Sequence, residues 1–259
     1  MRIIVNADDY GISRQTTEAI LSCLKSGSCS TTTMMVNMPY ADEAAALAKE
    51  KGVADRIGLH LNLTEGFPMT VGIKSSGLFC NKDGSFNRVF HSGKGTRLHL
   101  SSKTGILVKK EIEAQIQRYI SYGFPLMHLD SHHSVHIHLS IFNIICPYIR
   151  KYGFKSIRRG RNMAGGSAFS RLKKAYCSFK VKRTGAKTTD YQGSINEFLV
   201  FRENISADGS VEIMTHPVTD PITGNIIDIN GTEIMEMEEL SQILAPYMRC
   251  SMADLWKIQ

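Results

Sequence analysis

The chain has 259 residues, of which 42% are hydrophobic and 21% charged. That composition supports one large core and excludes wholesale disorder. No apolar run approaches the ~20 residues of a membrane helix, and the short apolar start leads into polar chemistry rather than a signal peptide. A cytoplasmic protein without membrane segments is the expectation. The net charge of +7 is local: no acidic residue lies between Asp130 and Asp190, and 13 Lys and Arg fall within Arg150–Lys187. The other 18 basic residues face all 24 acidic ones, so the rest of the chain is mildly acidic. The six cysteines (23, 29, 80, 146, 177 and 250) show neither CxxC nor zinc-finger spacing, and are expected to be reduced thiols.

From the N-terminus, a short buried strand over Arg2–Asn6 runs into VNADDYG, which sets Asp8 and Asp9 side by side before Gly11. Ser13 caps a helix over 14–26. A strand over Thr31–Asn37 precedes an alanine-rich amphipathic helix over 40–51, and a third strand over Arg56–Asn62 carries His60. Residues 66–103 have no clear period, as expected of a lid or binding loop. The spacing of Ile112, Ile116 and Ile120 predicts a helix over 104–121. Strands over Pro125–Leu129 and Lys155–Arg158 flank a helix over 138–152. A basic, glycine-containing stretch over 159–190 reads as irregular. A strand over Val211–Met214 precedes His216, and 232–248 reads as helical. Alternation of this kind argues for one α/β domain over 1–259, with a parallel sheet and helices outside it.

The ionisable residues that stand out follow strand ends: Asp8 and Asp9, His60, Asp130 and His132, and His216. In a barrel of parallel strands those ends converge on one face, where chemistry is done. Five of the nine histidines lie in HLDSHHSVHIH, residues 128–138, beside Asp130. Two imidazoles and a carboxylate with an open position form a common hydrolytic metal site. His132 ranks first as ligand, while His128, Asp130, His133 and His136 are candidates to orient ligands or line a substrate pocket. Adjacent carboxylates disfavour each other's ionisation unless a cation intervenes. With a metal, one of the aspartates becomes a ligand and the other a general base for its water. Gly11 is expected to let the chain turn so that both face the site. His216 suits protonation of a leaving group from the opposite side.

Four motifs, VNADDYG, GLHLNLTEG, HLDSHHSVH and EIMTHPV, occur in this order between residue 3 and about 220. Together they resemble the YdjC-like carbohydrate deacetylase family, which includes chito-oligosaccharide deacetylases. The resemblance implies a TIM-barrel-like (βα) fold with irregular closure, mostly parallel strands and long inserted loops. It implies a divalent metal, Mg²⁺ or Zn²⁺, held by Asp9, His60 and His132. It implies Asp8 as base and His216 as acid in removing an N-acetyl group from an N-acetylated sugar or oligosaccharide. Arg158 and Arg161 fall where the family carries arginines near the pocket, and join His128, Asp130 and His136 as substrate-binding expectations. The sequence after about 230 and the basic stretch match the family poorly. Rival readings are another metal-dependent barrel hydrolase, acting on a different amide or a phosphoester, and an anionic-polymer-binding protein using residues 150–187. No nucleic-acid motif is present, and a homodimer is the default assembly.

Overall fold

The computed structural model describes residues 1–92, 98–164 and 167–257. Its first half runs β1 (Arg2–Tyr10), α1 (Arg14–Ser26), β2 (Thr31–Met34), α2 (Ala41–Glu50), β3 (Ile57–Leu61), α3 (Val89–Ser92), α4 (Ser102–Ser121) and β4 (His128–Ser131). Then follow α5 (Leu139–Tyr152), β5 (Ser156–Ile157), α6 (Ala168–Thr184), β6 (Tyr191–Gly193), α7 (Ile195–Phe201) and β7 (Ser210–Thr215). The chain continues through β8 (Pro217–Thr219), β9 (Ile226–Asn230), β10 (Glu233–Glu236), α8 (Met237–Leu244), β11 (Met248–Arg249) and α9 (Asp254–Lys257).

The main sheet has the order β5-β4-β3-β2-β1-β7-β6, with β11 against the start of β1, and all its pairs are parallel. It curls into a barrel-like form with helices outside. The β5 and β6 edges meet irregularly. Lys187 accepts a bond from Ile157 N at 3.0 Å and donates to Lys155 O at 2.8 Å, and Asn162 N donates to Gln192 O at 3.1 Å. Closure therefore rests on single residues rather than a strand ladder.

The pleat sorts the side chains. Ile3, Val5 and Ala7 of β1 join the large apolar core with Ile20 and Leu24 of α1 and Ala44 and Ala48 of α2. The alternate residues Asn6 and Asp8 are buried among polar groups inside the curl. Below them Ile4 joins Leu126, Met252 and Leu255 in a separate small cluster. There Trp256 Nε1 donates to Ser156 Oγ at 3.2 Å, so the C-terminal segment stops the end of the barrel remote from Asp8.

The predicted strands and the first four helices occur with end shifts of a few residues. Ser13 caps α1 by accepting from Thr16 N at 3.2 Å. Two expectations need correction. Residues 232–248 are not one helix: β10 pairs antiparallel with β9 and α8 begins only at Met237. The Asn230–Gly231 dipeptide, with Gly231 at φ +70°, is the hairpin signal that marks this turn. The basic stretch is not irregular throughout either, because half of it is α6. Its helical period is hidden because cations lie on the inner as well as the outer side. The expected loop after residue 66 is packed by its own aromatics, Phe79 on Phe90 at 4.8 Å, and pinned where Glu111 accepts from Met69 N and Thr70 N.

Candidate active site

Asp8, Asp9, His60, His132, His133, Arg161 and His216 line one cavity of about 570 Å³ at the C-terminal ends of the strands. That volume is in the range of small-molecule sites. The two aspartates reach it by a break in the strand rather than after it. Asp9 has φ +70°, and the β1–β2 register shifts between Ala7 and Tyr10. Gly11 is left-handed too, but it is the backbone of Asp9 itself that turns its carboxylate to the same side as Asp8. His133 and Ser134, at φ +51° and +52°, also line the cavity. Left-handed non-glycine residues gather where a site demands them.

Asp9 Oδ1 lies 2.8 Å from His132 Nδ1 and 3.2 Å from His60 Nε2. The three ligand atoms all fall within 4.8 Å of one another. Burial opposes the charge of Asp9, but the hydrogen bonds and charges of His132 and His60 outweigh it and hold the carboxyl well below its usual range. His60 Nδ1 meets Asp130 Oδ1 at 2.7 Å, which fixes the ring and leaves Nε2 aimed at Asp9. Burial would lower the His60 pKa, yet Asp130 pushes it up to about 10. Such a carboxylate–histidine pair is the usual backing of a metal ligand.

These residues fit a divalent cation: a carboxylate and two imidazole nitrogens converge, and one imidazole is oriented from behind. Two other acidic clusters, Asp8–His60–Asp130 and His128–Asp130–Glu212, also converge. Each is already served by a cation of the protein. The buried Arg158 donates from Nη1 and Nη2 to Asp8 at 2.6 and 2.7 Å, from Nη2 to Asp130 at 2.8 Å, and from Nε to Glu212 at 2.5 Å. Of these three clusters, the Asp9 cluster alone has no arginine on it among the described residues.

Arg158 is therefore turned to these carboxylates and does not line the cavity. It is 3% exposed and spends its guanidinium on three carboxylates beneath the cavity floor. The other substrate-binding expectations separate in the same way. His128, Asp130 and His136 are buried and do not line the cavity, while Arg161 does. His136 Nε2 must donate to Arg158 O at 3.0 Å, so its Nδ1 accepts from Ser131 Oγ at 2.5 Å. Burial, chiefly, takes His128 down to about 3 and His136 to about 4, which keeps both neutral at ordinary pH. Arg161 Nε bonds Glu197 Oε2 at 3.0 Å, and Glu197 also closes the capping box of α7 with Ser194.

Sequence reasoning missed several participants. Asn6 Nδ2 donates to Asp8 Oδ1 at 2.8 Å, and Thr33 Oγ1 donates to Asp130 Oδ2 at 3.0 Å. Asp228 accepts from His216 N at 2.6 Å. Glu212 is fully buried, and burial pushes it up to about 7 despite Arg158. A lone acid inside the apolar strand SVEIMT was the available signal. His91 and Asn230 also line the cavity, from the long loop and the β9–β10 hairpin. His216 Nε2 stands 3.9 Å from Asp8 Oδ2 across it.

Residues 2–249 match the sequence profile of the YdjC-like proteins. The chain belongs to the YdjC-like family. Among curated relatives, carbohydrate deacetylase 1 of Listeria innocua is 30% identical over 217 residues, covering 84% of this chain and 81% of its own. The carbohydrate deacetylase of Vibrio vulnificus is 31% identical over 217 residues, covering 84% and 78%. A crystal structure of a candidate cellobiose-phosphate cleavage protein from Enterococcus faecalis superposes with TM-score 0.67 at 24% identity, over 85% of this chain and 82% of that one. At that identity it supports the YdjC-like fold alone, and the barrel-like form agrees with it.

Proposed function

We propose that this protein is a metal-dependent carbohydrate N-deacetylase, hydrolysing the acetamide of an N-acetylated sugar to acetate and a free amine. The observation that carries the reading is the Asp9–His60–His132 cluster, with Asp8 and His216 in the same cavity of a YdjC-like chain.

Asp9, His60 and His132 are assigned to hold a divalent cation, Zn²⁺ or Mg²⁺. When bound, that ion supplies Lewis-acid polarisation of the acetyl carbonyl and makes water a better nucleophile at neutral pH. Asp8 takes the proton of the attacking water. Its carboxylate cannot swing, because Arg158 grips both oxygens and Asn6 one of them. A base held in this way needs little reorganisation as the reaction proceeds. His216 delivers a proton from Nε2 to the departing sugar nitrogen. Arg161, His133 and His91 are placed on the cavity wall to meet sugar hydroxyls. Asp130 acts only through His60.

The test is acetate release from N-acetylated chito-oligosaccharides, beside phosphomonoester hydrolysis, with metal content measured in parallel. Acetate release that disappears with a chelator and returns with Zn²⁺ or Mg²⁺ is expected. Phosphate release without acetate release would replace this reading with that of another barrel hydrolase.

A further inference from the structure

α6 is built inside out. Its exposed side chains include Phe169, Leu172, Tyr176 and Phe179, at 59%, 70%, 41% and 57% exposure. Spacings of three, four and three residues place them in one stripe along one face. The side packed toward the barrel is poorer in apolar groups: Val181 is buried, while Lys173, Lys174, Cys177 and Ser178 line the space beneath the helix with His136 and Phe142. A helix folding only against its own core would put the aromatic stripe inward. Here Phe169, Leu172 and Phe179 face out, while Tyr176 at the edge of the stripe packs on Phe142 of α5 and donates to Asn143 Oδ1 at 3.1 Å.

The charge on this helix is all of one sign. Arg171, Lys173, Lys174, Lys180, Lys182 and Arg183 are its ionisable cations, and it carries no acid. By helical angle, Lys173 and Lys180 flank the stripe on one side, and Arg171 and Lys182 flank it on the other. Lys180 Nζ lies 5.8 Å from the Tyr176 ring and Arg183 Cζ 5.7 Å from that of Phe179. Lys180 and Arg183 therefore stand beside the apolar groups with their stems along the rings, as snorkelling side chains do.

We propose that α6 is a docking helix for an anionic lipid surface, laying Phe169, Leu172 and Phe179 among the acyl chains and its flanking cations among the headgroups. An interfacial helix needs this pairing of apolar anchors with flanking positive charge. Charge complementarity selects the occupant. A second α6 would bring like charges together on both flanks of the stripe. A zipper partner helix is a poor match because the stripe spans 11 residues, where a coiled coil needs about three or four heptads. The proposal does not depend on the deacetylase reading.

The experiment is co-sedimentation of the whole protein with vesicles of phosphatidylcholine alone and with vesicles that also contain phosphatidylserine. Binding only to the mixed vesicles is expected, falling as salt shortens the Debye length. The double variant Leu172→Ser and Phe179→Ser should lower the partition by about tenfold or more, as should Lys180→Gln with Lys182→Gln. All four positions are at the protein surface, and circular dichroism and the thermal unfolding midpoint verify that the variants fold. No binding of the wild type to mixed vesicles overturns the proposal, as does equal binding to both kinds. So does a concentration-dependent dimer, seen by sedimentation without lipid and abolished by Leu172→Ser and Phe179→Ser, since the stripe would then be a subunit contact. Retention on nucleic acid instead of vesicles overturns it as well.

Discussion

Two neighbouring carboxylates of this chain, one residue apart, live in different electrostatic worlds. Asp8 faces a guanidinium inside the barrel, and Asp9 faces two imidazoles at its mouth. Different substitutions should therefore fail differently. Asp9→Ala should lose metal affinity, measured by titration calorimetry of the apoprotein, whereas Asp8→Asn should keep the metal and lose turnover. An exchanged result would exchange the two roles. Glu212 gives a prediction about pH. Its folded pKa, about 7, lies above its ordinary 4.5. Between these values the folded protein keeps a proton that the unfolded chain has released, so this group's contribution to stability falls as pH rises from about 4.5 to 7. Glu212→Gln retains an acceptor for Arg158 Nε without titrating. The variant should gain on the wild type across that window and hold the gain above it, as read by urea unfolding at pH 5 and pH 8. The neutral histidines His128 and His136 slope the opposite way but cancel in this difference.

At the scale of elements, the site depends on strands brought close enough for side chains of β1, β3, β4, β5 and β7 to share one interior. Gly58 of β3 is one reason they fit. A Cβ there would lie 3.0 Å from His128 O, 3.1 Å from Thr33 Cγ2 and 3.2 Å from His128 Cβ. These neighbours belong to adjacent strands and cannot swing aside. Gly58→Ala should cost about 1–3 kcal/mol through overpacking, seen as a lowered midpoint in thermal unfolding. Because His60 is two residues along the same strand, turnover should fall in the folded fraction as well. The strand positions were legible because short apolar or β-branched runs end at polar chemistry. The β9–β10 hairpin was less so, since EIMEMEEL satisfies a helical pattern until its pairing with Ile227–Asn230 is known.

At the scale of the whole molecule, the barrel is polar at the mouth that holds the candidate site and stopped by apolar groups at the other end. Met252 is 1% exposed in the cluster with Ile4, Leu126 and Leu255. Met252→Ala should cost about 2–5 kcal/mol in urea unfolding and leave KM unchanged, because the cluster lies at the opposite end from Asp8. A change in KM without a change in stability would contradict this separation of stopper from site. The outward stripe of α6 also belongs to this scale, because its meaning depends on which face the barrel already covers.

The sequence by itself determined which groups are available for chemistry and their order along the chain. VNADDYG, GLHL, HLDSHH and MTHP place carboxylates and imidazoles at or just past the C-terminal ends of β1, β3, β4 and β7, and local periodicity is enough to reveal the strands. What it could not determine was which cation each carboxylate meets. Asp8 and Arg158 are 150 residues apart, and only the curl of the sheet makes Arg158 a clamp on Asp8. The same long-range packing buried His128, Asp130 and His136, gave Glu212 its place, and turned Phe169 and Phe179 of α6 outward. Periodicity is a property of neighbours along the chain, whereas burial and charge pairing are properties of neighbours in space.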